Sequence, residues 1–174
     1  NSDATVDDGS CLYYEVVTIA AARALGEDMP VIVQGIVTSP NFQSTNSDYT
    51  FQDATAGIIL YGGGISDLGL NVGDEIKVWG ETEDWYGKFE VEITSADDVQ
   101  IISTGNSVTP QVITVNNLYT NGEIYESELI TILNVSVIDD GLWPAEGNTA
   151  NITITDNNGV SITTMRIDSD TDID

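Results

Sequence analysis

Asp168, Asp170 and Asp172 stand at alternate positions in "DSDTDID", the spacing of the first three oxygen ligands of a calcium loop. The glycine such a loop needs at its sixth position is absent, Ile173 standing there, and the position of its bidentate Glu falls beyond residue 174. A second oxygen-rich stretch, "DATVDDG", offers Asp3, Asp7 and Asp8. Each stretch also reads as a solvated acidic turn, but calcium is the cofactor that so acidic a chain suggests. A third carboxylate group, Glu81 with Glu83 or Asp84, has the composition of a glycosidase dyad, and nothing else in the sequence supports that role.

The chain has 29 Asp plus Glu, 4 Lys plus Arg and no His, for a formal net charge of −25. Without His, the usual Ser-His-Asp, Cys-His and zinc-deaminase arrangements are excluded, and the chain is read as non-catalytic. The charge disfavours phosphate backbones and anionic lipid, and suits divalent cations or salty extracellular surroundings. No run of about 18 apolar residues is present, so no membrane insertion is expected. The single cysteine, Cys11, has no partner in the chain for a disulfide.

Aromatic side chains supply the remaining chemistry. Tyr49 and Phe51 share one apolar run, Trp79 lies in another, and the turn "DWYGKF" carries Trp85, Tyr86, Lys88 and Phe89. Phe51, Trp79 and Phe89 are read as barrel core. Tyr49, Trp85, Tyr86 and Lys88 are the candidate ligand contacts, able to stack on nucleic-acid bases or on sugar rings. With Arg23, Lys77 and Lys88 as the only cations in the first hundred residues, nucleic-acid binding would be weak. The glycines of "TFQDATAGIILYGGG" lack the Lys and Ser or Thr of a phosphate loop and mark turns between strands.

These residues must be positioned by short β elements. "TIAAARALG" gives a Thr18 N-cap, a run of helix formers and Gly26 as a stop. "VIVQGIVTS", with Gly35 at a bend, "DYTFQD" and "GIILYG" as a hairpin, "GDEIKVWGETED", "GKFEVEITS" and "DDVQIIS" read as strands. The pattern then repeats. "VITVNNLYTNG" matches "VVTIAAARALG", "SELITILNVSV" matches "MPVIVQGIVTS", and "ITITDNNGVSIT" matches "YTFQDATAGIIL", placing Asp156 and Gly159 where Asp53 and Gly57 stand. The expected fold class is all-β: two tandem small β-barrels, each preceded by a short helix, the second copy incomplete in this chain. The expected divisions are an acidic arm at 1–14, a first barrel at 15–105 and a partial second domain at 106–174.

The order of these elements resembles that of OB-fold domains, carried by Gly35, Val37, Thr38, Phe51, Asp53, Gly57, Ile58, Tyr61, Leu70, Gly73, Asp74, Val78 and Gly80. It is most similar to OB-like domains attached to secreted bacterial nucleases and to domains of bacterial cell-surface proteins. "DATVDDGSC" resembles the end of a short Cys-containing repeat of such surface proteins. The resemblance implies a secreted or cell-surface bacterial protein and a Cys11 paired with a cysteine elsewhere. Its implied function is a binding module for a polymer, nucleic acid or glycan. The chain opens with Asn1 and is read as a piece of something longer, so its expected partners are other domains of a parent chain or neighbouring subunits. The alternative is a structural subunit of an extracellular assembly or filament, its open second barrel completed by a strand from a neighbour such as the 1–16 arm.

Overall fold

A computed structural model describes residues 15–169 apart from 139 and 157. Asp3, Asp7, Asp8, Cys11, Asp170 and Asp172 lie outside the described residues.

The chain enters through β1 (Val16–Val17) and turns at Thr18, whose hydroxyl accepts the Ala21 amide and starts helix α1 (Ile19–Leu25). Gly26, at φ 84°, ends the helix after two turns, where a side chain would be strained. Ile19 and Ala22 are buried on its inner face.

Five strands then close a barrel. They are β2 (Pro30–Val37), β3 (Ser47–Gln52), β4 (Gly57–Gly62), β5 (Glu75–Trp85) and β6 (Lys88–Glu92). β2 pairs antiparallel with β3, β3 with β4, β5 with β6 and β5 with β2, while β4 runs parallel to β6. The circuit β2-β3-β4-β6-β5-β2 is the OB arrangement. β7 (Val99–Ser103) adds to the first half of β5.

Alternation decides which residues fill the barrel. Val31, Val33 and Val37, Tyr49 and Phe51, Ile58 and Leu60, Ile76 and Val78, and Val91 form one buried cluster. Gly35 sits where β2 passes from β5 to β3, and a Cβ there would come within 2.6 Å of the Gln52 carbonyl oxygen.

The second half reuses the same elements. β8 (Gln111–Ile113) runs parallel to β9 (Ile130–Ile132) as β1 does to β2. Thr114 caps α2 (Val115–Asn121) as Thr18 caps α1. β10 (Val135–Val137), β11 (Ala150–Asp156) and β12 (Ile162–Ile167) form an antiparallel sheet in the register of the first copy, Val137 lying opposite Ile154 as Val37 lies opposite Phe51.

The expectation of two barrels is met only in part, because the described residues of the second half form a three-stranded and a two-stranded sheet and close no barrel. Two details depart from the repeat. The counterpart of β2 breaks into β9 and β10 around Asn134, which adopts a positive φ of 58°. Gly159 does not take the place of Gly57: Gln52 pairs with Gly57 but Thr155 with Ile162, so the second turn is longer and Gly159 lies within it.

Candidate binding cleft

Since Tyr49, Phe51, Ile58 and Leu60 face inward, Asp48, Thr50 and Ile59 face outward from β3 and β4. Ile59 is nonetheless only 6% exposed. With the end of β12 it lines an open-sided cleft of about 390 Å³, whose other lining residues are Phe42, Asp48, Thr50, Lys88, Arg166, Ile167 and Asp168.

Each contributor is fixed locally. Phe42 stands in the loop between β2 and β3, where its amide donates to the Asp48 carbonyl and the Asn41 side chain accepts the amides of Gln43 and Asp48. Lys88 opens β6 opposite Trp85. Ile167 is buried at the end of β12, and the exposed Arg166 donates to Asp168 at 3.2 Å.

Both cations of the cleft are already engaged. The Lys88 ammonium lies 3.7 Å from Asp48 and 3.4 Å from Glu90, and 5.9 Å from the centre of the Tyr61 ring. Glu90 is almost wholly buried and its Oε2 receives no hydrogen bond of normal geometry. Burial pushes the Glu90 carboxyl above the usual range, Lys88 opposes this, and the charges of Asp48 and Glu83 add to it.

At the tip of the β5–β6 hairpin, Tyr86 at φ 55° and Gly87 at φ 88° make the turn, held by the Asp84 carboxylate accepting the Gly87 amide at 2.6 Å. Trp85 and Tyr86 are exposed and meet edge to face at 5.2 Å. Glu27, Glu83 and Asp84 border them. Glu83 is raised by a hydrogen bond with Glu92, then by burial and by the charges of Glu92 and Asp28.

Of the residues expected to contact ligand, the fold thus puts Lys88 in the cleft wall and Trp85 and Tyr86 at the neighbouring tip. Tyr49 is a correction. It is fully buried, its hydroxyl donates to Asp67, and burial with that bond pushes its pKa up to about 12. It shares a face with Phe51 and cannot stack on a ligand outside the barrel. Trp79 is also corrected, since it is 37% exposed on the outer face of β5 with the Lys77 ammonium 5.8 Å from its ring centre.

Phe42, Tyr61, Ile59 and Arg166 were not foreseen. Ile59 carried a signal, because "GIILYG" is apolar on both faces and a strand of that kind is covered on both. Asp168 lines the cleft beside Arg166, and among the described residues no three carboxylate or thiol groups are placed to hold a metal ion.

No family model matches the chain, and no curated protein sequence matches it. Among solved structures, the hypothetical protein ygiW from E. coli is similar at 19% identity and a TM-score of 0.39, over 53% of this chain and all of that one. The Ifi202 HINa domain in complex with 20bp dsDNA is similar at 10% identity and a TM-score of 0.43, over 55% of each chain. A Replication Protein A heterotrimer bound to ssDNA is similar at 12% identity and a TM-score of 0.37, over 42% of this chain and 57% of that one. The barrel's own strand order, and not these likenesses, identifies the OB arrangement.

Proposed function

We propose that the chain is a non-catalytic OB-type module that binds a neutral glycan chain in the cleft between the β3–β4 face and β12. The observation that supports it is the cleft's place. It lies on the second and third barrel strands, between the loop that carries Phe42 and the turn that leads to Lys88, where OB barrels take oligonucleotides and oligosaccharides. The choice of glycan rests on charge. Lys88 and Arg166 are each paired with carboxylates, so no uncompensated cation faces the cavity to meet a phosphate, whereas sugar hydroxyls can donate to Asp48 and Asp168 and a pyranose ring can rest on Phe42. The secreted or cell-surface bacterial setting, and calcium near Asp168, belong to the same proposal.

Calorimetric titration with neutral hexasaccharides tests it, alongside a labelled single-stranded oligodeoxynucleotide at low salt. A hexasaccharide is expected to bind with Kd below ~1 mM, about −4 kcal/mol, and Phe42→Ala to weaken it. Absence of glycan binding at that concentration, or tighter binding of the oligonucleotide, overturns the reading.

One observation favours a second reading, a subunit of an extracellular assembly. Among the described residues no strand pairs with the outer edges of β10 and β12, and Val135 and Val137 stay substantially exposed. Light scattering in calcium and in EDTA tests it. Growth of mass with concentration is the expected outcome, and a constant monomer in both buffers removes it.

A further inference from the structure

The cleft is built from both halves of the chain, so something must hold them in one arrangement. Arg23, on α1, reaches across. Its Nη1 donates to the carbonyl oxygens of Gly57 at 2.9 Å and Glu126 at 3.3 Å. Its Nη2 donates to the Glu123 carbonyl oxygen at 3.3 Å and to the Glu126 carboxylate. The other oxygen of that carboxylate accepts the Phe89 amide of β6 at 2.6 Å. The guanidinium also lies 6.0 Å from the centre of the Phe89 ring. Beside it the Gln52 side chain accepts the Leu129 amide at 2.7 Å.

We propose that Arg23 is a positioning residue for the cleft, latching the turn after α2 onto the barrel and thereby placing Arg166, Ile167 and Asp168 over β3 and β4. The proposal rests on reading that cleft as the ligand site. Two short paths join latch to cleft. On the barrel side, Gly57 in the latch and Ile59 in the cleft floor are two residues apart on β4, and Phe89 follows Lys88 on β6. On the other side, Glu123 lies in the 3₁₀ turn Gly122–Tyr125 that directly follows α2, and α2 packs on β12, with the Ser161 hydroxyl at 3.4 Å from Asn116.

A planar guanidinium suits this place. Its five donors, set in a fixed fork, meet three carbonyl oxygens and one carboxylate at once, which a lysine ammonium on a flexible stem cannot reproduce. The surroundings are otherwise acidic. Glu128 is pushed up by its burial, with Arg23 opposing and Asp53 adding, so loss of the one cation would leave carboxylates facing each other.

The test uses the whole chain with Arg23→Ala, Arg23→Lys and Glu126→Gln, and reads amide hydrogen exchange. Arg23→Ala is expected to speed exchange about tenfold or more at 129 and 166–168 while β2 and β5 keep their protection, and Arg23→Lys not to restore it. Glu126→Gln, which keeps the acceptor for Phe89, is expected to give a smaller effect in the same places, and it carries the test if Arg23→Ala does not fold. Unchanged exchange at 166–168 in these variants overturns the proposal. Calorimetry with a neutral hexasaccharide then separates the two ideas. Wild type binding and Arg23→Ala binding at least about tenfold more weakly supports both. A wild type that binds no hexasaccharide removes the ligand assignment, and the exchange result still decides the latch.

Discussion

The carboxylate of Asp53, in the turn between β3 and β4, accepts the Ile19 amide at the start of α1 at 2.9 Å. The same side chain accepts the amides of Thr55 and Ala56 within its own turn. Burial opposes its ionisation, but the bonds from Thr55, Ile19 and Ala56 prevail and hold the carboxyl below its usual value near 3.8. A depressed carboxyl contributes stability above its unfolded value, and that stability is lost as pH falls through the folded one. Asp53→Ala is therefore expected to cost about 1–2 kcal/mol at pH 7, measured by urea unfolding, and less below pH ~3.

Glu90 has the opposite sign. Its raised carboxyl means that ionisation opposes the fold, so stability is full below the usual value near 4.5 and is lost as pH rises through the folded one. Glu90→Gln is expected to raise stability at pH 7 by on the order of 1 kcal/mol, with the gain shrinking toward pH 4. Chemical denaturation at the two pH values measures the difference.

Gly57 faces the second half so closely that a Cβ would fall 2.3 Å from the Ser127 main chain. Backbone cannot yield as a side-chain tip can. Gly57→Ala is expected to loosen the second half from the barrel, seen as faster exchange of the Leu129 amide, with the β2–β5 ladder still protected.

Tyr49 is expected to titrate well above the usual tyrosine value near 10. In a spectrophotometric titration of the folded protein, one phenolate should form only near pH 12, and Tyr49→Phe should remove that step. The loss of its bond to Asp67 is expected to cost about 1 kcal/mol.

Trp85 and Tyr86 both stand exposed at the hairpin tip. Replacing both with Ala is expected to leave the melting behaviour within about 0.5 kcal/mol of wild type. The variant should lose part of the acrylamide-quenchable tryptophan fluorescence, since Trp85, at 55%, is the most exposed of the three tryptophans.

Much of the barrel was legible from local pattern. Thr18 and Gly26 bound α1, Gly35 sits at the bend of β2, and "DYTFQD" and "GIILYG" pair as a hairpin. Two misplacements were also legible. Strand alternation puts Tyr49 on the same face as Phe51, and puts Trp79 out of phase with Ile76, Val78 and Gly80. Reading aromatic character before phase gave Tyr49 to the surface and Trp79 to the core.

The sequence by itself determined the barrel strands, their inward faces and the recurrence of one hairpin with Asp53 and then Asp156 in its turn, because each depends on residues a few positions apart. Both carboxylates do accept amides of their own turns. Only the tertiary structure decided the cleft. Ile59, Lys88 and Arg166 come from strands far apart in the chain, and Arg23 meets Glu126 across a separation of 103 residues. No periodicity records such meetings. They follow from how two folded halves dock, and here that docking turns on one guanidinium, a glycine without a Cβ and the outer face of an apolar strand.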